Sequence, residues 1–165
     1  MDFYQGQVLD YLRADRAVFI NTQCCIQLNE DPNPDKSGPH WYCDAVAVDF
    51  RNSQVFLCEI SYAERLSYLV KRLRVWSQNW QEVCCALTRD CKIPDGWPVR
   101  PWLFMPTKSI EWIVGNFEQM HGADGTPVFK VRITPLEKVQ PWLYRSWNHQ
   151  DSETDKSEVP EGYRS

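Results

Sequence analysis

Two acidic side chains are spaced so that they meet across a predicted β-hairpin. Residues 41–61 form two runs rich in Val, Phe and Ala with a short polar break between them, a pattern typical of two antiparallel strands joined by a turn. If Arg51 and Asn52 form the centre of the turn, Asp44 lies directly opposite Glu59. Opposed residues have Cβ atoms about 4.5–5.5 Å apart, and like charges placed there repel.

The neighbours of these acids limit how their charge can be balanced. In the same register Val46 faces Leu57, so the acids share an apolar surface that water screens poorly. Such a pair needs a proton, a basic side chain or a metal ion between its members, and its hard oxygen atoms suit Mg²⁺ or a similar divalent cation. The alternative is that both acids lie near a strand end and reach solvent or a neighbouring arginine. Asp49 is another choice of first acid, but it faces Gln54 beside the turn, where solvation is expected.

The hairpin is predicted to occupy the middle of a sheet. Both of its faces are apolar, which is typical of strands that are covered on both sides. Periodicity, capping residues and turn residues predict the remaining elements. They are a helix over 2–13, a strand over 17–26, a loop over 29–40, a helix over 62–89, a strand over 99–105, a helix over 107–122, a strand over 128–133 and a helix that starts at Thr134. The prediction is an α/β fold with a mixed central sheet of four to five strands flanked by helices.

Length and charge indicate one folded domain and an acidic end. The chain has 165 residues and a net charge of −4, which is long enough for a single domain with a sizeable core. We expect residues 1–147 to form this domain and residues 148–165 to form a flexible acidic tail. Because most of the net charge falls on the tail, the domain itself is close to neutral. Nucleic-acid binding would therefore depend on a local patch rather than on a global basic field.

The cysteines and the apolar runs bear on the cellular compartment. Seven cysteines occur without the paired spacing of a zinc site or the regular spacing of a disulfide framework. No secretory signal precedes the first helix, and no apolar run approaches the length needed to cross a bilayer. A reducing, cytoplasmic location without a membrane is expected.

With the two acids placed on these elements, the chain resembles the PD-(D/E)XK, or restriction-endonuclease-like, superfamily. Asp44 matches the acid on the second strand of that family, and Glu59-Ile60-Ser61 matches the acid-x-Lys tripeptide on the third. The resemblance covers roughly residues 2–120 and implies an αβββαβ core. It also implies a Mg²⁺ or Mn²⁺ ion held by Asp44, Glu59 and the Ile60 carbonyl, with Asp44, Glu59 and Ser61 at the catalytic positions. Ser61 stands where the family has a lysine, and a hydroxyl cannot replace that charge beside a pentavalent phosphate.

Two arginines of the following helix are the remaining predicted site residues. Arg65 and Arg72 lie with Trp76 along one flank of the predicted helix, where they could contact phosphate and base. Packing and solvation of the flank is the alternative interpretation. Lys71, the only lysine in this helix, is predicted to point away from the core.

Three classes of function remain open at this point. The resemblance implies a metal-dependent nuclease that acts on DNA or RNA phosphodiesters. Ser61 and the near-neutral charge favour a catalytically inactive nuclease-fold module that binds nucleic acid or a protein partner, in a defence or mobile-element system. The third class is a small interaction protein that docks on a partner or on a second copy through a tryptophan-rich surface near Trp142 and Trp147.

Overall fold

The computed structural model describes residues 2–29, 40–63, 66–122 and 124–144, and a five-stranded sheet runs through this part of the chain. The strands are β1 (Val18–Gln27), β2 (His40–Asp49), β3 (Gln54–Ile60), β4 (Val99–Met105) and β5 (Arg132–Pro135). They lie side by side in chain order. β1, β2 and β3 pair antiparallel, whereas β4 pairs parallel with both β3 and β5. The predicted mixed sheet is confirmed, and β3 is its central strand.

Helices pack on both faces of this sheet, as predicted for an α/β protein. They are α1 (Phe3–Ala14), α2 (Ser67–Gln78), α3 (Trp80–Cys91) and α4 (Thr107–Val114), with short 3-10 helices at Phe117–Met120 and Leu136–Lys138. α1 starts after Asp2, whose carboxylate accepts a hydrogen bond from the Gln5 N–H at 2.7 Å, as helix N-caps do. No helix of the described residues is long and apolar enough to cross a membrane.

The central strand supplies side chains to both apolar cores. Phe56 and Cys58 face the core beneath α1, whereas Val55 and Leu57 face the core beneath α2 and α3. Successive residues of a strand point to opposite faces. The doubly apolar sequence of β3 therefore follows from its position in the middle of a sheet that is covered on both sides.

The single helix predicted over 62–89 is wrong, because the chain forms two helices with a break at Asn79. Asn79 leaves the helical conformation (φ −124°, ψ 27°), and its side-chain amide donates to the Val75 carbonyl at 2.8 Å. The side-chain amide of asparagine competes with backbone N–H groups for carbonyl acceptors. This competition makes asparagine favourable at the end of a helix. Trp76, predicted to lie on a flank where it could contact a base, is fully buried in the core.

The fifth strand is displaced along the chain relative to the prediction. It spans Arg132–Pro135 rather than 128–133. Pro135, expected at the start of a helix, instead pairs with Met105 on the outermost strand. Proline is tolerated there because an edge strand does not need every N–H for the ladder.

The helix predicted to start at Thr134 is also wrong, since only the 3-10 turn Leu136–Lys138 follows β5. The Thr134 hydroxyl, expected to cap that helix, accepts a hydrogen bond from the buried Trp102 indole at 2.9 Å. This tertiary partner replaces the helix N–H groups that a cap would satisfy. The helix predicted over 107–122 is real but ends at Val114.

Several predicted features lie outside the residues that the structure describes. They are Arg65, most of the predicted loop over 29–40 and the predicted acidic tail over 148–165. The candidate site is formed by other residues, at the end of the β2–β3 hairpin.

Candidate functional site

The register of the β2–β3 hairpin is the one that the sequence predicts. Val46 faces Leu57 and Asp49 faces Gln54, and the ladder ends at the pair Ala45–Cys58. Beyond that pair a side chain replaces the backbone acceptor, because Asp44 Oδ2 accepts a hydrogen bond from the Ile60 N–H at 2.7 Å. A carboxylate thus stands where the next backbone acceptor of β2 would be expected.

An irregularity of the backbone accompanies Asp44. Residues two apart in a regular strand share a face, yet Cys43 packs into the core beneath α2 and Ala45 into the core beneath α1. On the neighbouring strand, Gln23 would face Asp44 and adopts a left-handed conformation, with φ of 53°. The side-chain alternation therefore changes at Asp44, and this change accompanies its contact with the backbone of β3. Strained backbone of this kind clusters at functional sites.

Glu59 is balanced by an arginine from α2. Its side chain is 3 % exposed, and Arg72 Nη1 lies 2.7 Å from one carboxylate oxygen and 2.8 Å from the other. The same nitrogen donates to the Tyr42 carbonyl at 2.9 Å. Of the three ways to balance the acids (a proton, a basic side chain or a metal ion), the structure contains the basic side chain. Arg72, predicted as a nucleic-acid contact, is held at the site by these bonds.

Burial changes the protonation chemistry of both acids. It raises the pKa of Glu59 to about 7; Arg72 opposes this rise and the neighbouring Asp44 adds to it. Burial also raises the pKa of Asp44, against the Ile60 N–H bond and Arg72, which both lower it. The two carboxylates therefore hold a proton at a higher pH than exposed acids do.

Ser61 is hydrogen-bonded to a tyrosine of α2. It is buried, and its backbone N–H donates to the Phe104 carbonyl at 2.9 Å, which fixes the end of β3 against β4. Its hydroxyl and the Tyr68 side chain form a hydrogen bond. Burial raises the pKa of Tyr68, while the Ser61 bond lowers it and the charge of Glu59 raises it.

Tyr68 was missed by the sequence reasoning, although a signal for it was present. It precedes Arg72 by four residues on α2, and residues four apart share one face of a helix. Once Arg72 is placed over Glu59, the same geometry places the Tyr68 phenol beside the acids. The Tyr42 carbonyl had no such signal, because a backbone acceptor leaves no mark in the residue types.

The oxygen atoms of Asp44, Glu59 and Ile60 are the type of ligand that a hard divalent cation binds. Asp44 Oδ1 makes no hydrogen bond within the described part of the chain. Together with a Glu59 oxygen and the Ile60 carbonyl it would provide three oxygen ligands and leave the rest of a Mg²⁺ shell to water. Both Glu59 oxygens are already bonded to Arg72, so a cation and Arg72 would compete for this carboxylate. Among the residues described, no three His, Cys, Asp or Glu side chains form a metal-binding group.

The structure thus brings Asp44, Glu59, Ile60 and Ser61 to one end of the hairpin and adds Arg72 from α2. Comparison with protein-family models, with curated proteins and with solved structures finds no match. The geometry of this site and the order of the elements around it are therefore the features that bear on function.

Proposed function

We propose that the chain is a divergent nuclease-like protein that acts on DNA or RNA phosphodiesters with a Mg²⁺ or Mn²⁺ ion. The observation that supports this most is the convergence of Asp44 and the Ile60 backbone, at 2.7 Å, beside the buried Glu59 carboxylate. The order of elements also supports it, since a helix, three antiparallel strands, two helices and a parallel strand follow one another. This order is similar to the αβββαβ core of the PD-(D/E)XK superfamily.

The roles of the residues follow from their chemistry. Asp44, Glu59 and the Ile60 carbonyl would hold the cation, whose chemistry when bound would be to activate a water molecule and stabilise the leaving oxygen. Ser61 offers no charge to the phosphate. The guanidinium of Arg72 would supply the positive charge that the family draws from its lysine, because it already lies within hydrogen-bonding distance of Glu59.

The decisive test combines metal binding with cleavage. Calorimetry with Mn²⁺, and cleavage of labelled single-stranded and duplex DNA and RNA, are measured for the unchanged protein and for Asp44→Asn and Glu59→Gln. Both variants should lose metal binding and cleavage. Asp49→Asn is the matched control, because Asp49 lies on the same strand but caps the turn through Arg51 and Asn52; it should retain both. If the unchanged protein binds no Mn²⁺ and cleaves no substrate, metal-dependent hydrolysis is ruled out.

A catalytically inactive nuclease-fold module that binds nucleic acid or a protein is the second candidate. The two short contacts of Arg72 with Glu59 support it, because they balance the acid without a metal ion. The serine at position 61 supports it as well. Binding of labelled DNA and RNA in the presence of a chelator, with neither cleavage nor Mn²⁺ binding, would favour this candidate. Absence of nucleic-acid binding as well would indicate a protein partner.

A further inference from the structure

A cleft lies at the end of the sheet where the parallel strands finish. Its volume is about 290 Å³, and its walls are Tyr4, Tyr62, Pro106, Lys108, Leu136, Glu137 and Gln140. Tyr62 lies just beyond β3, Pro106 directly follows β4 and Leu136 directly follows β5. In open α/β sheets, ligands bind outside the carboxyl ends of the strands. The cleft is at this edge.

Aromatic rings form one wall of the cleft and remain exposed. Tyr4 and Tyr62 stack with ring centroids 5.2 Å apart and an angle of 27° between their planes. Tyr62 is 56 % exposed and Tyr4 38 %. Phe3, which meets Tyr4 edge to face, is also exposed. The exposed parts of these rings are aromatic surface that the described part of the chain leaves uncovered.

The cleft lies near Asp44 of the candidate site. Asp2 caps the helix that carries Tyr4, and the charge of Asp2 helps to raise the pKa of Asp44. Glu59 is bonded to Arg72 of α2, whereas Tyr62 packs on Tyr4 of α1, so the cleft and Glu59 lie on opposite faces of the sheet near the end of β3. A ligand whose ring lies on the tyrosines can therefore present its next group to the acids only at this end of the strand.

We propose that the Tyr4–Tyr62 pair stacks an unpaired base of single-stranded DNA or RNA whose neighbouring phosphodiester lies at Asp44 and Glu59. This inference rests on the proposed function and names its substrate class. Aromatic side chains bind bases of any sequence by stacking, because every base has a π-face. A cleft of about 290 Å³ is at the lower end of the size of small-ligand pockets, so it accommodates one ring and excludes a duplex.

The polar groups of the cleft are consistent with such a strand. Lys108 lines the cleft and contributes a positively charged side chain to it, as a contact to a backbone phosphate would require. Glu137 would repel the phosphate if it were free, but both of its carboxylate oxygens accept the Thr107 N–H at 3.1 Å, at the start of α4. Its charge is thereby directed at the positive end of a helix.

Binding in the absence of metal tests the inference separately from catalysis. The affinity of a fluorescein-labelled single strand of about 12 nucleotides is measured by anisotropy with a chelator present, which prevents cleavage. Tyr62→Ala and Tyr4→Ala should each weaken binding about tenfold or more, and Tyr62→Phe should retain it. Phe19→Ala is the matched control: Phe19 is 63 % exposed and lies at the opposite end of the sheet, paired edge to face with Phe50. Thermal melting of each variant shows that the fold is kept.

Each outcome decides the inference. A strand with abasic positions should bind about tenfold more weakly than the intact strand, and the duplex of the same sequence should also bind more weakly. If Tyr62→Ala and Tyr4→Ala bind like the unchanged protein, or if the unchanged protein binds no single strand, the stacking site is ruled out. Metal-dependent cleavage that requires Asp44 could still be present and would preserve the proposed function. Conversely, strand binding that depends on Tyr62 without any cleavage would confirm the stacking site and contradict the nuclease activity.

Discussion

At the scale of single residues, Glu59 and Arg72 set the charge of the candidate site. Glu59 is almost fully buried, and Arg72 is the cation within hydrogen-bonding distance of both its oxygens. A buried carboxylate without a partner is unstable as a charged group. If Arg72 moves away, Glu59 therefore has to bind another cation or take up a proton.

The raised pKa of Glu59 should make stability fall as the pH rises. The pKa is about 4.5 in the unfolded chain and about 7 in the folded one, so between these values the folded state binds the extra proton. The free energy of unfolding should decrease by up to about 3 kcal/mol between pH 4.5 and pH 7. Urea unfolding across this range is the measurement. Glu59→Gln should have a much smaller slope, and an unchanged slope would contradict the assignment.

Removal of Arg72 should destabilise the fold. Arg72→Ala leaves Glu59 buried without its cation, and we expect a loss of about 2–4 kcal/mol, slightly below the cost for a fully buried pair because Arg72 keeps some solvent contact. The loss should be smaller near pH 5, where Glu59 holds a proton. Lys71→Ala, an exposed neighbour on α2, should change stability by less than about 0.5 kcal/mol. Equal effects of the two variants would show that the pair is energetically neutral.

Ser61→Lys tests the missing lysine directly. A charged donor at a developing anion is typically worth about 10²–10³ in rate, so the variant should increase Mn²⁺-dependent cleavage by up to that factor. Adding Glu59→Gln to it should abolish the gain, because the cation would lose its ligand. Single-turnover cleavage of a labelled strand is the measurement. A Ser61→Lys protein that folds and binds Mn²⁺ but cleaves no faster would contradict the assigned role of position 61.

At the scale of the elements, α2 combines packing with chemistry. Leu69, Leu73 and Trp76 are fully buried against the sheet, while Tyr68 and Arg72 lie one turn apart on the side that faces the acids. The helix therefore positions the site through its core contacts. Because α2 ends at Asn79, α3 follows as a separate helix with its own buried side chains.

The left-handed backbone conformation at the end of α3 can be tested by measuring stability. Lys92, directly after α3, is exposed and has φ of 53°, the left-handed conformation that glycine adopts without strain. Lys92→Gly should stabilise the protein by about 0.5–1 kcal/mol. Lys71→Gly, in the exposed interior of α2, should destabilise it by about 1 kcal/mol. Denaturant unfolding of both variants is the measurement, and the same sign for both would contradict the conformation at Lys92.

At the scale of the whole molecule, one sheet separates two apolar cores and carries the site at one of its ends. The acids lie at the end of the central hairpin, so the site depends on the packing of both faces. All seven cysteines are free thiols, and they differ widely in exposure. Their reactivity therefore reports how tightly each part of the molecule is packed.

Alkylation of the native protein should follow this packing. Cys85 is exposed, and the hydrogen bond with Cys24 lowers the pKa of Cys91 to about 7, so these two should react first with iodoacetamide near neutral pH. Cys43 and Cys58 are buried, which raises the pKa of both thiols. They should react only at the rate of global unfolding. Peptide mass spectrometry over time is the measurement, and early labelling of Cys58 would contradict a tightly packed central strand.

The sequence by itself determined the hairpin and its register from the turn to the pair Ala45–Cys58. The turn at Arg51 and Asn52 and the alternation of Val46 and Leu57 are local signals, and a slip by one residue would turn every apolar side chain to the wrong face. The α/β class, the first helix and β4 followed from periodicity in the same way. For these elements the local pattern was sufficient, whereas at Asn79 it was not.

The tertiary structure decided what balances those acids. Arg72 lies 13 residues from Glu59, and its position depends on how α2 packs on the sheet. Thr134 illustrates the same limit, because its local pattern is that of a helix cap but the Trp102 indole, 32 residues away, takes its hydroxyl. Contacts between residues that are distant in the chain override local propensity when they satisfy a buried polar group, and periodicity and spacing do not encode them.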